Sequence, residues 1–232
     1  KGVRRSQKTM YISFDEYNVI PATMHEARAE RVPWTTGTGG NASLTMQNSL
    51  LFGLQLLTLM RHSDRVRIAC QSILINGAGL VLCSPDSAAW VNANYFIMQH
   101  VSRHGRGRLV SQVYDGPTYE SETFGTVESV DAVCVYHDDT GEIDIFAVNR
   151  ESDDIELRLE LSAFADLDPI EHLVLKGETL QSCNSAQQPD AVTPAALTGV
   201  RLEKGAAVST LPAYSWNLVR LQSASGVHEG LK

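Results

Sequence analysis

The nine residues Met10-Tyr11-Ile12-Ser13-Phe14-Asp15-Glu16-Tyr17-Asn18 are an apolar run that stops at two consecutive acids. Met10 to Phe14 predicts a short buried strand, because a brief apolar stretch bounded by polar residues suits an interior position. A carboxylate just past such a strand lies where barrel enzymes carry their chemistry. Glu16 is therefore the first candidate for a working residue. The competing reading is a strand that ends in a solvated acidic turn, as most surface Asp and Glu residues do.

Outward from this stretch, Tyr17 to Thr45 reads as a long irregular connection punctuated by Pro21, Pro33 and Thr35-Thr36-Gly37-Thr38-Gly39-Gly40. Connections of this length inside a domain usually serve a function. Trp34 lies within it and is a candidate for the floor or wall of a sugar site, against the plainer role of pinning the loop. Met46 to His62 then carries Leu50, Leu51, Phe52, Leu54, Leu56, Leu57, Leu59 and Met60 on nearly every face, the pattern of a helix packed on several sides. His62 suits its C-terminus, where a basic group meets the negative end of the helix dipole. Val66 to Cys70, with an extension toward Ile75, predicts the next buried strand, with Asp64 and Arg65 as an ion pair at its rim.

Asn76-Gly77-Ala78-Gly79 lacks the Gly-x-Gly-x-x-Gly spacing of a dinucleotide site. A second helix is expected from about Ala88 to Ser102, capped by Asp86 or Ser87, with Trp90, Tyr95 and Phe96 packing into the core. Beyond Gly105-Arg106-Gly107 the pattern changes to short runs of β-type residues: 109–114, 130–137, 142–148, 155–161, 170–175, 200–202, 207–210 and 216–221. Asp138-Asp139-Thr140-Gly141 is a hairpin signal between two of them. Regular short strands with such turns predict an antiparallel β-sandwich. Gln181 to Thr198 reads as a surface connection, and 223–232 as a loose tail.

Composition narrows the partners. The 232 residues carry a net charge of −8, with 27 acids against 19 Lys and Arg. That balance argues against nucleic acid, whose affinity comes from clustered cations. No apolar run reaches the roughly 18 residues a membrane span needs, so no membrane partner is expected. Cys70, Cys83, Cys134 and Cys183 are widely spaced and hold no Cys-x-x-Cys, which signals neither zinc nor a disulfide framework. Three of them sit in apolar or strand-like runs, as buried free thiols do. A reducing, cytoplasmic setting follows as the expectation.

Three segments, Ile12-Ser13-Phe14-Asp15-Glu16-Tyr17-Asn18-Val19, Leu56 to Cys70 and Phe146-Ala147-Val148-Asn149-Arg150, together resemble glycoside hydrolase family 51 α-L-arabinofuranosidases. The ending Thr210-Leu211-Pro212-Ala213-Tyr214-Ser215-Trp216-Asn217 is similar too. The resemblance implies an α/β plus all-β fold: the last two strand-helix units of a (β/α)8 TIM barrel over residues 1–104, then a C-terminal antiparallel β-sandwich over 105–222. Two strand-helix units leave their sheet edges exposed, so a missing N-terminal barrel segment is expected ahead of Lys1.

In that family the Glu of the Phe-Asp-Glu motif is the catalytic nucleophile, which places the role on Glu16. The chemistry implied is the retaining one, with a second carboxyl as general acid and base. The family carries that acid in an Asn-Glu motif on an earlier barrel strand, and this sequence contains no Asn-Glu pair. Two departures are visible. Tyr17 and Ile20 stand where the family has Trp residues, and Ile73 stands at the position of a Gln that contacts the arabinose, with Gln71 nearby on the same face if the strand is regular. The expected activity is release of terminal α-L-arabinofuranosyl residues from arabinose-containing oligosaccharides. No cofactor or metal is implied, and the family suggests a homo-oligomer, commonly hexameric. The alternative is a non-catalytic carbohydrate-binding or structural module in which Glu16 is inert.

Overall fold

The computed structural model describes residues 9–21, 43–84, 88–164, 166–203 and 205–223. Trp34, Asp86, Ser87 and most of the proposed tail lie outside them. The first element is strand β1 (Ile12–Tyr17), followed by helix α1 (Met46–Arg61) and strand β2 (Val66–Gln71). Thr45 caps α1 reciprocally with Asn48, each side chain satisfying the other's free backbone N–H. His62 closes the helix as expected, its N–H donating to the Thr58 carbonyl at 3.3 Å. β1 and β2 pair in parallel, so β1, α1 and β2 make one strand-helix-strand unit.

Four expectations change in this half. β1 runs through both acids instead of ending before them, and it is not buried: Met10, Tyr11, Ile12 and Phe14 are all exposed. Among the described residues β1 pairs only with β2, so nothing covers the apolar side chains that its sequence pattern assigns to an interior. β2 stops at Gln71, and Ile73, Leu74 and Ile75 are exposed beyond it. Asp64 and Arg65 do not pair; Arg65 Nε donates instead to the Met10 carbonyl at 3.2 Å, tying the start of β1 to the turn before β2.

The second helix starts later than expected. Val81–Leu82 (β3) and Trp90–Val91 (β4) form a small antiparallel ladder, and α2 spans Asn94–His104. Trp90 therefore belongs to a strand. Its β-type neighbours Trp90-Val91 can pair with Val81-Leu82, and that pairing overrides the helical reading of the segment.

The remainder is all β. Arg108–Val110 (β5), Val130–Tyr136 (β8), Glu142–Asn149 (β9), Leu167–Leu175 (β11), Pro194–Ala196 (β12) and Ser215–Ser223 (β15) form a six-stranded antiparallel sheet in the order β12-β11-β15-β9-β8-β5. Ile155–Glu160 (β10), Arg201–Glu203 (β13) and Ala206–Leu211 (β14) form a three-stranded sheet. Thr118–Ser121 (β6) and Gly125–Glu128 (β7) are a separate hairpin that the sequence pattern did not announce. The β8-to-β9 turn is the expected one: His137 donates its N–H to the Glu142 carbonyl, and Gly141 takes the positive φ of 74° that closes it.

The six-stranded sheet is covered on both faces. Alternate side chains point oppositely, so Ile143 and Ile145 of β9, with Val219 and Leu221 of β15, meet Ala207 of the smaller sheet. Phe146, Val148, Trp216 and Leu218 face the other way and pack on Phe52, Leu56 and Leu57 of α1 and Ile97 of α2. Gly53 is needed there, because a Cβ on it would lie 2.8 Å from the Trp216 ring. One large core thus joins the helices to the sheet, and Tyr17 reaches into it from the end of β1.

The segment expected as a plain surface connection is anchored to that core. Val192 is fully buried, its N–H donating to Asn184 Oδ1 at 2.7 Å, while Asn184 Nδ2 donates to the Val91 and Val192 carbonyls. A buried Asn with satisfied amide atoms holds such a loop as firmly as apolar contacts do. Of the four cysteine thiols only Cys134 is buried, and Cys70 is exposed, since β2 lacks cover on that face.

Candidate active site

The site lies past the carboxyl ends of β1 and β2, where parallel strands direct their loops. A hollow of about 300 Å³ is lined there by Glu16, Tyr17, Asn18, Ile20, Ser72, Ile73, Gly77 and Ala78. Glu16 and Ile73, singled out from sequence, are therefore brought together. Trp34 belongs to residues the structure does not describe.

Glu16 owes its direction to an irregularity in the strand. Phe14 pairs with Ala69 and Tyr17 with Gln71, so β1 spends one residue more than β2 over this interval. Such a bulge turns a side chain away from the regular alternation, and bulges cluster beside active sites for that reason. Glu16 is exposed at the bulge while Tyr17 is buried. The Tyr17 ring stacks on Phe52, with centroids 5.4 Å apart and planes 12° from parallel. Burial first, and the neighbouring Cys70 second, raise the Tyr17 phenol above its ordinary range, so it stays a neutral anchor. The residue in the place of the family's Trp therefore serves as a peg into the helix layer, leaving the adjacent carboxylate facing the hollow.

The two strand ends are tied side by side. Ser72 N–H donates to the Tyr17 carbonyl at 3.0 Å. Asn18 Nδ2 donates to the Ser72 carbonyl and, at 2.7 Å, to the Ala78 carbonyl. Ser72 Oγ donates to Glu16 Oε1 at 2.7 Å. Gln71 does not face the hollow: its Nε2 donates to the Ser72 carbonyl at 2.9 Å, and its Oε1 is buried. The Gln71 Nε2 is thus used within the protein, while its Oε1 has no hydrogen-bond partner among the described residues, and the apolar Ile73 is what the hollow receives at that strand end.

Asn18, Ser72, Gly77 and Ala78 were not marked by sequence. Asn18 lies in the opening stretch but carries no local signature, and Ser72 becomes relevant only through the register of two strands 50 residues apart. The Asn76-Gly77-Ala78-Gly79 turn, excluded as a nucleotide loop, builds the hollow's rim instead, with Asn76 and Gly77 both at positive φ.

Elsewhere, His137, Glu142 and Asp144 converge within 4.8 Å, a spacing a metal ion can use. Arg220 already occupies these carboxylates, with contacts of 2.9 Å to each of Asp144, Glu142 and Glu171. His137 Nε2 lies 2.8 Å from the fully buried Asp144. A guanidinium shared by three acids is a structural knot between β9, β11 and β15, in which each of the three carboxylates already has a charged partner.

The profile of the alpha-L-arabinofuranosidase C-terminal domain matches residues 15–215. The chain belongs to that family. An intracellular exo-α-(1→5)-L-arabinofuranosidase of Halalkalibacterium halodurans is 32% identical over 225 residues, covering 95% of this chain and 44% of the relative. One of the same description from Acetivibrio thermocellus is 33% identical, over 95% of this chain and 45% of its own length. A family 51 α-L-arabinofuranosidase structure from Bifidobacterium longum superposes with a TM-score of 0.83 at 24% identity, covering 93% of this chain and 44% of that one. The arabinofuranosidase C-terminal domain described here therefore spans under half the length of the relatives it matches. The family 51 resemblance read from the sequence holds, and the expected all-β portion is present.

Proposed function

We propose that this chain contributes the nucleophile of a retaining glycoside hydrolase that releases terminal α-L-arabinofuranosyl residues from arabinose-containing oligosaccharides. The observation that carries this reading is Glu16: a carboxylate at a strand-end bulge, hydrogen-bonded by the Ser72 hydroxyl, lining a hollow of about 300 Å³ in which it is the sole acid among the described residues. Family membership supports the same choice.

In the first step a Glu16 oxygen forms a bond to the anomeric carbon as the glycosidic C–O bond breaks. The departing oxygen keeps that electron pair and takes a proton from a second carboxyl. In the second step that carboxylate removes a proton from water, the water oxygen bonds to the anomeric carbon, and the Glu16 ester bond breaks. The two carboxyls of a retaining pair stand about 5 Å apart. Here the second belongs to an N-terminal barrel segment, of which β1, α1 and β2, within residues 1–104, are the closing portion; residues 105–222 are the sandwich. Ile73 and Trp34 contribute to the sugar-binding wall. The complete protein works in the cytoplasm as a homo-oligomer, in keeping with relatives whose names call them intracellular.

The test is Glu16→Gln in the complete polypeptide with an aryl α-L-arabinofuranoside. Turnover should fall at least about a thousandfold, the scale seen when a reacting group is removed, with the melting temperature unchanged. A near-normal rate would remove Glu16 from the mechanism and favour a non-catalytic module.

A further inference from the structure

The most constrained group beside Glu16 is not one the mechanism uses. Ser72 follows β2 directly, and its backbone is fixed on both sides: its N–H is held by the Tyr17 carbonyl, and its carbonyl accepts from both Asn18 and Gln71. Asn18 extends the brace to the Ala78 carbonyl, so the Gly77–Ala78 rim moves with it. With its main chain immobilised, the Ser72 side chain keeps only the rotation that aims Oγ. That oxygen lies 2.7 Å from Glu16 Oε1.

Glu16 itself has little else to hold it. It is exposed, it sits at a bulge, and its neighbour Tyr17 turns into the core. Among the described residues Ser72 is the side chain hydrogen-bonded to it. A glutamate at an exposed site retains several rotamers, and ordering them costs free energy that must come from a contact. A hydroxyl donating to a carboxylate is a charge-assisted bond, stronger and shorter than a neutral one. It engages one of the two carboxylate oxygens, Oε1, of a side chain that lines the hollow.

We propose that Ser72 is a positioning residue for the nucleophile, using the Asn18-braced end of β2 to lock Glu16 in the one rotamer that faces the hollow. This rests on the reading of Glu16 as the nucleophile. Ser72 does not touch the reacting carbon; it acts by reducing the orientations from which Glu16 attacks. The brace explains why a loop-end serine is accurate enough to do this: the hydroxyl is referenced to both strands at once.

The experiment compares Ser72→Ala and Ser72→Thr in the complete polypeptide with an aryl α-L-arabinofuranoside, recording kcat, KM and melting temperature. Ser72→Ala should lower kcat roughly tenfold, the scale of the rotamer freedom one glutamate recovers, with KM and melting temperature little changed. Ser72→Thr keeps the hydroxyl and should return kcat to within about twofold of the parent. Equal rates for all three proteins would overturn the proposal. So would a loss in Ser72→Ala that Thr does not rescue, or one that follows a fall in melting temperature. Glu16→Gln separates the two ideas: if it is inactive while Ser72→Ala is normal, the nucleophile stands and the positioning role falls.

Discussion

The parallel pair β1–β2 and the six-stranded sheet are built from similar residues and end up in opposite environments. Ile143, Ile145, Phe146 and Val148 of β9 are buried on both faces, under a second sheet on one side and two helices on the other. Ile12, Phe14 and Ile68 of the pair are each more than 40% exposed. Parallel strands normally have both faces covered, so the pair is the part of the molecule whose apolar surface calls for a neighbour, while the sandwich satisfies itself. The contrast also locates function. The covered sheet supplies rigidity, and Glu16, the proposed nucleophile, stands at the open end of the uncovered pair, beside Tyr17, which reaches into the common core.

This contrast can be broken by mutating each side. Trp216→Ala, in the middle of the covered sheet, should cost about 3–5 kcal/mol in chemical denaturation, because it removes a fully buried aromatic wedged beneath Gly53. Phe14→Ser, on the uncovered pair, should cost this chain only about 1 kcal/mol, the scale of its edge-on contact with the Tyr17 ring. In the complete polypeptide the same Phe14→Ser should become strongly destabilising, because the proposed barrel segment would cover that face. A cost that is equal in both settings would end the claim that the pair awaits a neighbour.

A smaller effect sharpens the picture of the covered side. Trp216 Nε1 donates to His100 Nδ1 at 3.2 Å, which requires a neutral imidazole nitrogen. Burial, and after it the nearby His104, push the His100 pKa down to about 4 from 6.5. Between these values the unfolded chain takes up a proton that the folded chain refuses. Stability from this group is therefore intact above pH 6.5 and is lost as pH falls toward 4, by on the order of 3 kcal/mol. His100→Gln, whose amide oxygen can accept from Trp216, should flatten the fall in melting temperature over that window. An unchanged slope would assign the acid sensitivity to other groups.

How much of this was legible in the sequence follows from the same division. The strands of the sandwich could be read because short runs of β-type residues, alternating where one face is covered as in β10 and continuous where both are as in β9, lie between turns, and 142–148, 155–161 and 216–221 match the observed strands closely. The brief β6–β7 hairpin escaped, since its residues are mostly exposed and leave no apolar period. For β1 the apolar pattern was read correctly as strand and incorrectly as buried, because the pattern records what a strand is made to pack against and not whether it is present. Trp90 was lost to a helix because β3 and β4 are two residues each, too short to show a period. At the site, Glu16 was legible as a strand-end acid and through family resemblance. Ser72 was not, because its role depends on a bulge and on a brace through Asn18, and both come from register between strands.

The most direct measurement treats the complete polypeptide with an electrophilic arabinofuranose analogue that alkylates the nucleophile of retaining enzymes, followed by peptide mapping in a mass spectrometer. One sugar adduct is expected on the peptide around Phe14-Asp15-Glu16-Tyr17, with the fragment ions placing it on Glu16 and loss of activity proportional to labelling. An adduct on any other carboxylate, or inactivation that leaves Glu16 unmodified, would contradict Glu16 as the nucleophile.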